Sequence, residues 1–137
     1  MKFDEFVGQV QHRAQLASTA EAVRAIRATL QSLAERLDAG EAKDLGAQLP
    51  RELAFYLQTA EHRKRMTLDD FLHKVAEREQ VDLPDAVYHS RVVIEVLQEA
   101  VSAGEIRDVL AELPAEWAPL FTAGSQGQMS PPEAVGR

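Results

Sequence analysis

The feature that most restricts the fold is an internal repetition that covers most of the chain. The stretch "AGEAKDLGAQLPREL" at residues 39–53 is answered 64 positions later by "AGEIRDVLAELPAEW" at residues 103–117. A second match, at an offset of 65, joins residues 3–16 to residues 68–81. Each copy is about 55 residues long, and self-similarity between stretches of this length is typical of supersecondary units that bury their apolar faces against each other. Two such copies predict one pseudo-symmetric domain.

Within each copy the apolar residues recur at helical spacing. They fall three or four positions apart at Phe3, Phe6, Val7 and Val10, and again at Leu68, Phe71, Leu72 and Val75. Ser18 or Thr19, Thr67 and Pro84 are typical of helix starts. The pattern predicts an all-α fold of two tandem four-helix repeats. The predicted boundaries are a first repeat at 1–60, a basic linker at 61–67, a second repeat at 68–121 and a disordered tail at 122–137.

Glycine and proline indicate where helices end and begin in the repeated stretch. Gly40 and Gly104 stand where a helix end favours a residue that tolerates positive φ, so each is predicted to end the long second helix of its copy. A short third helix must then stop before Pro50 or Pro114, because proline disfavours a helical predecessor. Each proline also suits the first turn of a fourth helix.

Composition narrows the classes of function. The chain of 137 residues has 22 acidic and 15 basic side chains, a net charge of −7 that opposes binding to nucleic acid. The acids beside Lys43 and Arg107 argue against a helix-turn-helix recognition helix for the same reason. There is no cysteine, and no apolar run approaches the length of a membrane span. We therefore expect a cytoplasmic protein with no nucleic-acid or membrane partner.

The repeated motif resembles a known bacterial family. Both copies fit D-E/D-F followed by A-G-E-x-x-D-x-x-A-x-L-P-x-E, and this is similar to domain of unknown function 2267 over residues 3–121. The resemblance implies a duplicated all-helical fold in a bacterial protein, with no established activity, substrate or cofactor. Two departures from the repetition bear on the resemblance: Gly8 stands opposite His73, and Pro119 is expected to cut short the last helix of the second copy.

One helix face offers candidate metal ligands. Asp70, His73 and Glu77 are three and four residues apart, the spacing with which helices present carboxylates and imidazoles to a metal. The first copy has Glu5, Gly8 and His12 there, so the alternative is a solvated polar face. We expect no cofactor.

Two arginines match between the copies, and so do the acids of the third helix. Arginine forms planar bidentate bonds with carboxylates, and a partly buried charge needs a partner. We predict structural clasps within each copy, from Arg27 to Asp44 or Glu41 and from Arg91 to Asp108 or Glu105.

The long helix of the second copy is apolar on two sides. Val92, Val93 and Val96 add to its core stripe where the first copy has Ala28, Thr29 and Ser32. Either the helix is buried centrally, or the extra face, with Tyr88, is an interface with a partner or a second subunit.

These features favour a non-enzymatic protein-interaction or regulatory module that binds a protein partner, or itself, through helix faces or the junction between the copies. The alternative is a helical protein that binds a small ligand or a metal, or an enzyme that uses arginine and carboxylate groups.

Overall fold

The computed structural model describes residues 1–127 and Met129, and these residues form eight α-helices and no strand. The helices are α1 (Phe3–Arg13), α2 (Thr19–Arg36), α3 (Ala39–Ala47), α4 (Arg51–Gln58), α5 (Leu68–Glu79), α6 (Leu83–Ala100), α7 (Ala103–Ala111) and α8 (Ala118–Thr122). A turn of 3-10 helix, Ala115–Trp117, precedes α8. The all-α prediction is confirmed for this part of the chain, and none of its helices is long and apolar enough to cross a membrane.

Side-chain caps fix where the helices begin. The Ser18 hydroxyl accepts a hydrogen bond from the Glu21 backbone N–H, and α2 begins there as predicted. Asp38 and Ser102 cap α3 and α7 in the same way. Gly40 and Gly104 therefore lie in the first turns of these helices, and neither has a positive φ. The prediction that they end the preceding helices was wrong, because Leu37 and Val101 leave the helix in extended conformation.

The start of α5 provides a test of capping. The Thr67 hydroxyl accepts from the Asp70 N–H at 3.0 Å, and the Asp70 carboxylate accepts from the Thr67 N–H at 3.0 Å. Replacing Thr67 by alanine is expected to lower the free energy of unfolding by about 1 kcal/mol, as for other lost N-caps. Urea unfolding measures this. Thr19→Ala, at an exposed position outside the cap, should cost under about 0.5 kcal/mol, and an equal loss in both variants would contradict the capping role.

The two long helices form the centre of the molecule. Helix α2 packs against α1, α4, α5 and α6, and α6 packs against α1, α2, α5 and α8. Large side chains from other elements fill the core around them, with Phe6, Phe71 and Trp117 fully buried and the rings of Phe71 and Trp117 5.0 Å apart.

The extra valines of α6 belong to this core. Val92, Val93 and Val96 are each 0% exposed, so the interpretation of this face as an interface was wrong and central burial is what the structure shows. Two apolar sides are needed because α6 has neighbours on both. Tyr88, the fourth predicted interface residue, is half-buried beside a cleft described below.

The basic connector packs on the end of α2. Backbone N–H groups of Arg63 and Lys64 donate to the carbonyls of Leu37 and Glu35, at 3.0 and 2.8 Å. These bonds satisfy carbonyl groups that a helix C-terminus leaves without partners, and positive charge is favourable at that end of the helix dipole. The connector thus continues the fold between α4 and α5.

The segment after α8 turns back onto α6. Arg91 donates to the carbonyl oxygens of Gly124 and Gly127, at 2.9 and 2.6 Å, and Glu95 accepts from the N–H of Ser125 at 2.8 Å. Residues 123–127 are thus held by α6, although they were predicted to belong to a disordered tail. Thr122, the first residue of that predicted tail, ends α8, and the rest of the tail, apart from Met129, lies outside the described residues.

Candidate functional site: a cleft at the Glu79 and His89 pair

A cleft of about 350 Å³ lies where the corner between α1 and α2 meets the corner between α5 and α6. Both corners contribute walls: Ala14, Gln15, Leu16, Glu21 and Arg24 from the first, and Glu79, Val81, Asp85, Tyr88 and His89 from the second. A volume of this size suits a small molecule. The cleft combines apolar walls with several groups that carry charge or form hydrogen bonds.

A buried acid and imidazole pair forms the inner wall of the cleft. Nδ1 of His89 is hydrogen-bonded to Oε2 of Glu79, and the two residues are only 7% and 2% exposed. When Glu79 is ionised it can only accept, so the ring hydrogen lies on Nδ1, and in the neutral ring Nε2 is then an acceptor. Nε2 has no hydrogen bond within the part of the chain that the structure describes.

The second carboxylate oxygen of Glu79 is also notable. Oε1 is buried and has no hydrogen-bond partner among the described residues. Buried polar atoms are nearly always paired in folded proteins, because an unpaired one costs about 1–3 kcal/mol. The pair is therefore kept at a cost to stability, which is common at sites that bind a ligand.

Tyr88 lines the cleft next to the Glu79 and His89 pair. Its hydroxyl donates to the backbone carbonyl of Arg13 at the end of α1, and the guanidinium of Arg91 lies 5.6 Å from its ring centroid. The tyrosine thus ties α6 to α1 while the buried cation of Arg91 packs on its ring.

Backbone strain occurs at both corners of the cleft. Gln15 has φ of 55° and Gln80 has φ of 64°, in the left-handed region that residues with a Cβ seldom adopt. The two glutamines are matched positions at the offset of 65. Each follows the end of a helix and turns the chain toward the cleft, and such strain is frequent at binding sites.

Sequence reasoning missed the pair, although a signal was present. At the offsets of the internal repetition, Glu79 corresponds to Ala14 and His89 corresponds to Ala25, and both alanines are buried. An acid and a histidine thus replace two small apolar residues in the second copy alone. The two copies therefore differ at two buried positions that contact each other in the second copy. This difference indicates that the helical fold does not itself require the pair.

The predicted metal ligands on α5 are not brought together. Asp70, His73 and Glu77 are all exposed, and they form no group of three ligands close enough to share an ion. The Asp70 carboxylate caps α5, and Nδ1 of His73 is 2.9 Å from the carbonyl oxygen of Asp69. Helical spacing put the three on one face, but that face is turned to solvent.

The predicted clasps within each copy are not formed. Arg27 is exposed and has no ion pair with Glu41 or Asp44. Arg91 is buried, but it bonds to the carbonyls of Gly124 and Gly127 and not to Asp108 or Glu105. Among the acids of these clasps, Asp44 is exposed, while Glu41, Glu105 and Asp108 lie close to one another. The geometry brings together acids from α3 and α7 and leaves the arginines out.

Two of the observed ion pairs join other matched residues. Arg13 of α1 binds Glu99 of α6 at 2.7 Å, and Arg78 of α5 binds Glu35 of α2 at 2.6 Å. Arg13 corresponds to Arg78, and Glu35 corresponds to Glu99. Each bond therefore runs from one copy of the sequence repetition to the other.

These ion pairs shift the pKa values of the carboxyl groups. The hydrogen bond from Arg13 holds the pKa of Glu99 below its ordinary value. Burial raises the pKa of Glu35, but the hydrogen bond and charge of Arg78, aided by Lys74, outweigh burial and lower it. Both carboxylates are therefore stabilised in the ionised form.

Comparison with known protein families shows to which family the chain belongs. The family model described as "Uncharacterized conserved protein (DUF2267)" matches residues 3–120. The chain belongs to this family. The match covers all seven helices from α1 to α7 and most of α8, so the cleft of this DUF2267 protein lies within the shared domain. No curated protein matches the chain.

Proposed function

We propose that the protein is a regulatory module that binds a small, amine-bearing molecule in the cleft between the two helical corners. The observation that carries this proposal is the buried Glu79 and His89 pair, whose imidazole has one nitrogen held by an acid and the other without a partner among the described residues. An imidazole fixed in this way is set to accept a hydrogen bond from a ligand.

The charges around the cleft favour a positively charged ligand. Glu21 and Asp85 line it together with Glu79, and Arg24 is the only lysine or arginine among the lining residues. Carboxylates in excess raise the local concentration of cations and suit the N–H groups of an amine. Leu16 and Val81 add apolar surface for the carbon skeleton of the ligand.

Regulation follows from the position of the cleft between the two sequence copies. We propose that the chain is a pseudo-symmetric pair of four-helix repeats, 1–60 and 68–121, joined by the linker 61–67. The cleft then lies at the junction of the repeats, with one wall from each. A ligand that contacts both walls binds only the docked arrangement, so its binding stabilises that arrangement by mass action.

A protein partner or self-association remains a prediction. The valine face of α6 that was predicted to be the interface is buried. Binding at the junction of the two copies is proposed instead. We assign no reaction to the cleft.

Thermal unfolding with small probe molecules tests the proposal. Ethanolamine and putrescine are expected to raise the melting temperature of the wild-type chain in a saturable way, whereas acetate and succinate should not. In ¹⁵N-labelled protein, the amines should also shift the Nε2 resonance of His89, because they bond to that nitrogen.

Two variants make the test specific. The double variant Glu79→Ala/His89→Ala, which introduces the residues found at positions 14 and 25, should fold and lose the response to amines. His73→Asn changes an exposed histidine on α5 and should respond as the wild type does. Absence of a saturable response in the wild type, or an equal response in the double variant, would overturn the proposal.

A further inference from the structure

Three carboxylates face one another where α3 packs against α7, away from the residues that line the cleft. Oxygen atoms of Glu41, Glu105 and Asp108 all lie within 4.8 Å of one another. Glu41 and Glu105 are matched positions of the sequence repetition, and Asp108 is one helical turn after Glu105. Equivalent acids thus meet from the two halves of the chain.

Glu105 is buried and points into this group without a partner. The residue is only 7% exposed, and its Oε2 has no hydrogen-bond donor among the described residues. Oε2 of Glu41 is buried and lacks a donor as well. No lysine, arginine or histidine in the described ranges forms an ion pair with any of the three acids.

This arrangement is unfavourable unless a positive charge is added. Like charges at this separation repel strongly in a partly buried site. A buried acid that faces two others, with no basic side chain paired to any of them among the described residues, therefore indicates that a bound cation or a shared proton neutralises the group.

We propose that Glu41, Glu105 and Asp108 together bind one hard divalent cation, Mg²⁺, Ca²⁺ or Mn²⁺. All the ligand atoms are carboxylate oxygens, the donors that these ions prefer, and no nitrogen or sulfur ligand is present to favour zinc or copper. Oxygens on opposite sides of Ca²⁺ are about 5 Å apart, since each lies about 2.3–2.6 Å from the ion. The observed spacing fits a single ion with water in its remaining positions.

The ion would join the two halves of the chain at α3 and α7. Ser102 and Asp38 cap these helices immediately before the acids, so the ligands lie on well-defined first turns. Glu41 and Glu105 each lie in a first turn, where the helix dipole favours the ionised carboxylate that a metal needs.

Titration of the full-length chain with Mn²⁺ alone, after treatment with EDTA at pH 8.5, tests the proposal. Electron paramagnetic resonance should show one bound Mn²⁺ per chain, and Ca²⁺ or Mg²⁺ should displace it. Each ion should raise the melting temperature, because it binds the folded chain preferentially. Glu105→Gln should weaken Mn²⁺ binding at least tenfold and abolish this rise.

The same variant separates a metal ligand from a structural residue. In EDTA, Glu105→Gln should melt at or above the wild-type temperature, because a glutamine amide can donate to the Glu41 carboxylate and relieve the repulsion. Asp108→Asn, at an exposed position, should also weaken Mn²⁺ binding and serves if the first variant does not fold.

Glu77→Gln is the matched control, because Glu77 is an exposed acid of the predicted site on α5. It should bind Mn²⁺ as the wild type does. The proposal is overturned if the wild type binds no Mn²⁺ at millimolar concentration, if both Glu105→Gln and Asp108→Asn bind it normally, or if Glu77→Gln alone loses it. The proposal is also overturned if Glu105→Gln is more stable than the wild type while the wild type shows no response to metal. That result would mean that the acids share a proton and bind no ion.

Discussion

Replacement of His89 by alanine is expected to lower the free energy of unfolding by roughly 3 kcal/mol. The change leaves Glu79, which is 2% exposed, without its one hydrogen-bond partner among the described residues. It also leaves a void where the ring packed. Urea unfolding followed by the fluorescence of the single tryptophan measures the loss, because Trp117 is fully buried in the folded chain.

The double variant Glu79→Ala/His89→Ala shows how much of this loss comes from an unpaired polar group. It removes both partners and leaves neither buried alone, so it should cost at least about 1.5 kcal/mol less than the sum of the two single variants. Ala14 and Ala25 show that alanines are accommodated at the matching positions of the first copy. Strictly additive losses would contradict a coupled pair.

Local signals in the sequence predicted the helices well. Apolar spacing and capping residues such as Ser18 and Thr67 act within a few residues of the chain, and the structure places α2 and α5 where these signals begin. Gly40 was misinterpreted because glycine is enriched just after helix C-termini, whereas here it lies in the first turn of α3. The cap that decides between them is the side chain of Asp38, two residues earlier.

Contacts between the two copies were not predictable in the same way. The sequence predicted clasps for Arg27 and Arg91 with acids of their own copy, since residues near in sequence are often near in space. Among the described residues the arginines that bind acids are Arg13 and Arg78, and each contacts a carboxylate of the other copy. Periodicity gives the buried face of each helix, but it does not say which helix of the other copy covers that face.

The candidate sites were hidden for the same reason. Glu79 and His89 lie on consecutive helices, but the cleft that they line needs the corner of the first copy as its second wall. Glu41 and Glu105 are 64 positions apart, and only the packing of α3 on α7 brings them together. A position-by-position comparison of the two copies would have indicated both sites. Glu79 and His89 differ from the residues at their matching positions, whereas Glu41 and Glu105 are identical residues at matching positions.

Replacement of Arg78 by alanine is the second large effect that we expect, a loss of about 2–3 kcal/mol at pH 7. The Glu35 side chain is only 8% exposed, and without Arg78 it retains just the longer contact from Lys74 at 3.4 Å. Arg13→Ala should cost less, about 1 kcal/mol, because the side chains of its partners Glu99 and Glu95 are 47% and 26% exposed and water can replace the guanidinium.

The pH dependence of this loss identifies its cause. The pKa of Glu35 in the folded chain lies below its ordinary value of 4.5, so the carboxylate contributes stability above about pH 4.5 and loses it as pH falls through the folded pKa. Without Arg78, burial acts on Glu35 against Lys74 alone, so this carboxyl is protonated at a higher pH in the variant than in the wild type. The difference in stability between the two chains should therefore be largest near pH 7 to 8 and shrink as pH falls. A difference that did not change on acidification would indicate lost packing of the arginine stem, without an ionic contribution.

Arg27→Ala completes the comparison, because it removes an exposed arginine that was predicted to form a clasp. The structure gives Arg27 no carboxylate partner within the described residues, so its loss should change the free energy of unfolding by under about 0.5 kcal/mol. If Arg27→Ala instead cost as much as Arg78→Ala, the clasp within the first copy would exist in solution. The losses should therefore decrease from Arg78, whose partner Glu35 is buried, through Arg13, whose partners Glu95 and Glu99 are more exposed, to Arg27, which has no acid partner among the described residues.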